Sequence, residues 1–187
     1  MKKAGILLGF VPLIVYGVLA GSSVSSVVTA LSAALVVTVI LGFSDLMKGR
    51  ILTWATLVMF GSLLITAGVL DITGILPVMG MVIYAALAAV TFGSILAKIP
   101  FTLQYAREMV DRNLWENPLF IRVNVLMTSV WGGIFVINFI LSYLTFAYPS
   151  AAGWIAPPLS YLVLIAGVTF TVWYPEHVQK MHASASG

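Results

Sequence analysis

Three carboxylates lie close together in the most polar segment of the chain, residues 98–118. They are Glu108, Asp111 and Glu116. Carboxylates gathered in this way could serve acid–base catalysis or bind a metal ion. The same spacing is typical of the solvated face of a helix, where charged side chains need no function. We favour the solvated face and predict neither a catalytic residue nor a metal ion here.

The two histidines, His177 and His182, follow the last apolar segment. Their five-residue separation differs from the i,i+4 pairing of a helical zinc site. The chain has no cysteine, which excludes thiolate ligands, disulfides and cysteine nucleophiles. It also contains no G-x-S-x-G sequence and no P-loop. We therefore expect no cofactor and a non-enzymatic protein.

A stripe of polar and aromatic side chains follows one face of the fifth apolar segment. Its members recur at steps of three and four residues, the spacing of one helix face. Amides inside hydrocarbon must find hydrogen-bond partners, because lipid offers none. The stripe should therefore either contact other helices or line a solute path. It consists of Asn124, Thr128, Trp131, Phe135, Asn138 and Ser142.

The polar segment 98–118 predicts an amphipathic helix at the membrane interface, because apolar and charged positions alternate at helical spacing. The i,i+4 pairs Glu108 with Arg112 and Arg107 with Asp111 would support it. We expect the segment to offer a cytoplasmic contact face formed by Arg107, Glu108, Asp111, Arg112, Leu114 and Trp115. Arg122, one turn after Pro118, is a candidate ligand for a lipid phosphate.

The composition indicates which elements must position these residues. Hydrophobic residues make up 61% and charged residues 8% of the 187 residues, against about 25% charged in soluble domains. The mean hydropathy is +1.09. We predict an all-α polytopic membrane protein, a single domain over residues 1–187. About six apolar segments could each cross roughly 30 Å of hydrocarbon: residues 4–20, 24–43, 51–70, 75–97, 119–146 and 157–174.

The basic residues predict the orientation of these segments. With six spans, all nine Lys and Arg fall on one side, whereas the opposite loops, residues 21–23, 71–74 and 147–156, contain none. Lys and Arg resist translocation, so both termini are predicted to be cytoplasmic. The Val18-Leu19-Ala20 sequence also resembles a signal cleavage site, but we expect the first span to be retained. The net charge of +3 is small and the basic residues are scattered, so we expect no nucleic-acid binding surface.

Residues 83–143 resemble the bacterial intracellular septation protein A family of small inner-membrane proteins. The shared features are Ile83-Tyr84-Ala85, a Lys98-x-Pro100 exit, Trp115 in a short cytoplasmic loop, and Asn124 with Trp131 on the next span. The resemblance implies a bacterial inner-membrane location and a link to cell division and envelope integrity through protein contacts. It lends no catalytic residues.

Three functional hypotheses follow. The first is a non-enzymatic scaffold or small subunit that acts through the bilayer, a membrane-protein partner or a second copy of itself. The second is a transporter or substrate-binding component, in which the polar stripe serves a solute without central charge. The third is an interfacial lipid-modifying enzyme using Glu108, Asp111 or His177.

Overall fold

The chain forms helices joined by short turns, and no strand occurs among the residues described. The computed structural model describes residues 8–185, with side chains through residue 181. The α-helices are α1 Val11–Leu19, α2 Val24–Met47, α3 Ile51–Leu64, α4 Met79–Leu96, α5 Phe101–Ala106, α6 Pro118–Ala147, α7 Pro149–Ala152 and α8 Ala156–Ala185. A π-helical turn, Ile65–Val69, extends α3, and the 3-10 segment Thr73–Val78 precedes α4. Two further 3-10 turns, Arg107–Met109 and Arg112–Leu114, lie between α5 and α6.

Five helical segments are long and apolar enough to cross a membrane, which suggests a multi-pass membrane protein. They correspond to the second to sixth predicted spans and run Val24–Met47, Ile51–Val69, Thr73–Leu96, Pro118–Ala147 and Ala156–Met181. Of the predicted first span, the described part forms the nine-residue helix α1, while residues 4–7 lie outside the described residues, as do Lys2 and Lys3. The last helix continues past the predicted end at residue 174, through Pro175, to Ala185.

Local sequence signals determine where several helices begin and end. The Ser23 hydroxyl accepts a hydrogen bond from the Ser26 amide at the start of α2. Asn117 caps α6 in the same way, and Pro118 occupies the first turn, where its missing amide hydrogen is not needed. Gly49 follows α2 with φ +67°, a left-handed conformation that glycine adopts without strain.

The helix α6 lies at the centre of the bundle and packs against α4 and α8, while α2 packs between α1 and α3. The Phe10 ring, just before α1, stacks on the Trp131 indole with centroids 4.0 Å apart. A Cβ atom added at Gly132 would lie 2.7 Å from Cζ of Phe92. Such close approach matters in lipid, where helices associate through van der Waals contact rather than by hiding apolar surface from water.

The prediction of one continuous amphipathic helix over residues 98–118 was wrong. The α-helix α5 has six residues, and the backbone is extended at Val110, with φ −129° and ψ 159°. Phe101 and Tyr105 are buried on one face of α5 and Leu103 on the opposite face, so this helix is folded into the end of the bundle. The charged residues that follow cannot enter an apolar interior without a large desolvation cost, and the helix ends where they begin.

Candidate functional site

The polar stripe of α6 is buried from Asn124 to Asn138, and its first half contacts α5. Asn124 and Thr128 are 2% and 0% exposed. The Thr102 hydroxyl of α5 shares a hydrogen bond of 2.8 Å with the Thr128 hydroxyl and also lies 2.8 Å from the Asn124 carbonyl oxygen, to which it donates. The Asn124 amide nitrogen donates to the Phe120 carbonyl of its own helix. These contacts use the stripe to hold α5 against α6.

The second half of the stripe joins α6 to α8. The Trp131 indole nitrogen donates to the Thr171 hydroxyl at 2.9 Å. The Ser160 hydroxyl donates a short hydrogen bond to the Asn138 carboxamide oxygen, and the Asn138 nitrogen donates to Ile134. Both polar atoms of Asn138 are therefore engaged, and its side chain is 0% exposed. These hydrogen bonds join α6 to α8 along this part of the stripe.

Ser142, the last residue of the stripe, lies at the edge of a cleft. The cleft has a volume of ≈ 490 Å³ and lies where α4 begins, α6 ends and α8 begins. Its polar lining includes Tyr84, Ser142, Thr145 and Ser160, and the Tyr84 and Ser160 hydroxyls are 3.5 Å apart. None of the twelve lining residues is charged, so the cleft suits a neutral molecule.

A cluster of ionic side chains lies at the opposite end of the bundle, where α2 turns into α3. The Arg50 side chain is 4% exposed; its Nη2 atom lies 2.7 Å from Oε1 of Glu108, and its Nε atom lies 3.0 Å from Oδ1 of Asp45. The Lys48 ammonium approaches the same Glu108 oxygen at 2.8 Å. The hydrogen bond from Lys48 is the main cause that lowers the pKa of Glu108, and Arg50 lowers it further.

The helix α5 completes this cluster. The Gln104 side-chain oxygen accepts from the Ile51 amide at 3.0 Å, which satisfies a free donor at the start of α3. The Arg50 guanidinium lies 3.9 Å above the centre of the Tyr105 ring, within cation–π range. Burial raises the pKa of Tyr105 above its usual 10, so its hydroxyl, which shares a hydrogen bond with Thr53, stays neutral. The cluster therefore connects the turn between α2 and α3 with α5 and with the loop that follows α5.

The residues of the predicted contact face lie in two different surroundings. Glu108 belongs to the ionic cluster, and no ion pair joins Glu108 to Arg112 or Arg107 to Asp111 in the part of the chain described. The continuous helix that those i,i+4 pairs require is interrupted at Val110. Leu114 is 41% exposed, and the Trp115 indole nitrogen donates to the Arg107 carbonyl at 3.0 Å. Arg122 is exposed at the start of α6.

The described acidic and histidine residues form no metal-binding group. His177 stacks on Trp173 of its own helix at 4.7 Å between ring centres, and the side chain of His182 lies outside the described residues. Over residues 8–181 no group of three His, Cys, Asp or Glu side chains could hold a metal ion. Glu116 and Asp111 remain on the surface.

Sequence reasoning missed the partners that complete both sites. Lys48 and Arg50 were used only to predict orientation, and Asp45 was not used. An acidic residue close in sequence to two cations, with a second charged loop elsewhere in the chain, could have indicated an ionic cluster. Thr102, Ser160 and Thr171 carry no such signal, because single hydroxyl residues are common in apolar helices. No family model, curated protein or solved structure matches the chain, so no function is transferred from a relative.

Proposed function

We propose that this chain is a six-span, non-enzymatic protein of the bacterial inner membrane that acts through contacts with other membrane proteins or with lipids. One observation carries the proposal. The buried polar side chains of α6 are used in contacts with α5 and α8, and the described ionic cluster lies at one end of the bundle. Groups that could have performed chemistry are thereby used to hold helices together.

The six-span topology with cytoplasmic termini rests on the distribution of basic residues. Arg50 and Lys48 meet Glu108 at one end of the bundle, whereas the residues that line the cleft at the other end include neither Lys nor Arg. A cytosolic reporter fused after Gly187 should be active, and the same reporter inserted in the loop 147–156 should not. Activity in the reverse pattern would contradict the topology.

The contacts themselves are expected at the loop between α5 and α6. Met109 and Leu114 are 48% and 41% exposed there, and the charged groups around them would form the polar rim of a protein interface. The double substitution Met109→Gln with Leu114→Gln should reduce co-purified membrane proteins severalfold in mild detergent. Ile72→Gln is the matched control, because Ile72 is 51% exposed at the opposite end. Equal recovery from both variants would count against this contact face.

A substrate-binding function is the second candidate, and the uncharged cleft favours it. Its hydroxyl groups and apolar walls suit a small neutral solute. A thermal-shift screen of neutral solutes on the purified protein tests this function, with Thr145→Leu to fill the cleft. A solute that stabilises the natural chain but not the variant would favour binding there. The Thr145→Val variant, which keeps the side-chain volume, serves as the control.

A further inference from the structure

Two arginines of the loop between α5 and α6 converge on one aromatic ring. The guanidinium carbons of Arg107 and Arg112 lie 5.3 Å and 5.7 Å from the centre of the Trp115 ring, both within cation–π range. The hydrogen bond from the indole nitrogen to the Arg107 carbonyl fixes the position of the ring beside Arg107. We call these three residues the Arg–Trp–Arg clamp.

The positive charge of the clamp is not compensated by the loop. The nearest acidic residues in sequence are Glu108, Asp111 and Glu116. Glu108 contacts Lys48 and Arg50 instead. Within the described residues neither arginine of the clamp has a carboxylate at ion-pair distance, and Nε of Arg107 is buried without a hydrogen-bond partner. An anion bound to both guanidinium groups would offset their positive charge.

We propose that the Arg–Trp–Arg clamp binds the phosphate group of an anionic membrane phospholipid. Guanidinium groups form paired hydrogen bonds with phosphate oxygens. Arg112 is exposed and Arg107 is half-buried, so both side chains can present such donors at the surface of the loop. The proposal rests on the proposed membrane function and specifies its lipid partner.

The surroundings of the clamp favour a lipid over a soluble phosphate. The loop lies between two apolar helices that are long enough to span a bilayer, α4 and α6. Met109 and Leu114 expose apolar side chains beside the clamp, where acyl chains would bury them, and tryptophan itself favours the membrane interface. A soluble phosphate would leave these apolar groups in water.

The test is a lipid titration of the full chain in mild detergent, followed by native mass spectrometry. Phosphatidylglycerol should bind at least tenfold more tightly than phosphatidylcholine. Arg107→Gln combined with Arg112→Gln should weaken binding of phosphatidylglycerol by about tenfold or more, the loss expected for charge-assisted hydrogen bonds. Lys98→Gln removes one exposed cation of the same end of the bundle and should change the affinity by less than about threefold.

Further measurements test whether the bound phosphate belongs to a lipid or to a soluble molecule, and include a variant that keeps the positive charge. Glycerol 3-phosphate at the same concentration should not bind, and equal affinity for it would overturn the lipid assignment. Arg107→Lys with Arg112→Lys keeps the charge without the planar fork and should give an intermediate affinity. Unchanged affinity for phosphatidylglycerol in the double Lys variant, or in a folded double Gln variant, would overturn the proposal. Neither result alters the reporter or co-purification experiments, so failure of the clamp and failure of the proposed function are separable.

Discussion

The Arg50 guanidinium lies 2.7 Å from the Glu108 carboxylate, Nη2 to Oε1, although the two residues belong to different loops. This pair joins the turn between α2 and α3 to the loop that precedes α6. Arg50 is buried and Glu108 is 49% exposed, so the pair lies at the boundary of the bundle, where an ionic contact is worth more than on an open surface.

Replacing Arg50 by Met should lower the free energy of unfolding by about 2 kcal/mol. Removal of one partner of a fully buried pair costs about 3–5 kcal/mol, and the exposure of Glu108 reduces that value. Thermal unfolding in detergent measures the effect. Lys48→Met is the matched control, because Lys48 contacts the same oxygen while half exposed, and it should cost less than about 1 kcal/mol. Equal losses in the two variants would contradict the assigned role of Arg50.

The stability contributed by Glu108 should disappear in acid. Its pKa is lowered from the ordinary 4.5, first by the hydrogen bond from Lys48. A lowered folded-state pKa means that the contribution is fully present above 4.5 and is lost as the pH falls through the folded value. The difference in melting temperature between the natural chain and Glu108→Gln should therefore shrink below pH 4.5. A difference that stays constant across that range would contradict this linkage.

Gly49→Ala should destabilise the fold by about 1 kcal/mol, because the φ of +67° at Gly49 is costly for a residue with a Cβ atom. Space is not the reason, since no atom lies within 4 Å of an added Cβ. Denaturant unfolding should show a smaller loss for Gly49→Asn, which tolerates this conformation better. Gly93→Ala is the control, because Gly93 lies inside α4 with similar free space, and it should not destabilise.

The two asparagines of α6 should respond differently to leucine. Asn138→Leu removes the acceptor of the Ser160 hydroxyl and should cost about 1 kcal/mol, within the range for hydrogen bonds between membrane helices. Asn124→Leu should cost less, because the Asn124 side-chain oxygen has no partner among the residues described. Melting temperatures in detergent compare the two variants. A larger loss for Asn124→Leu than for Asn138→Leu would contradict this assignment of the two side chains.

Most of the fold follows from local features of the sequence. The apolar segments of α2, α3, α4, α6 and α8 are visible in the hydropathy alone, because burial of backbone groups in lipid requires long helices. Caps such as Ser23 and Asn117 act within one helical turn, and glycine at residue 49 permits a conformation that few other residues adopt. The buried face of α6 could also be predicted, since its asparagines and Trp131 need partners.

The tertiary structure decided which groups are those partners. Thr102, Ser160 and Thr171 lie 26, 22 and 40 residues from the stripe residues they contact, and hydroxyl groups carry no pattern that identifies a distant partner. Glu108 could have paired with Arg112 on a continuous helix, or with Arg50 in another loop. Which pair forms depends on where α5 ends, and that end depends on how much of the segment the other helices can bury. Local sequence therefore determines the helices, while the competition between burial and charge solvation determines how the loops close over them.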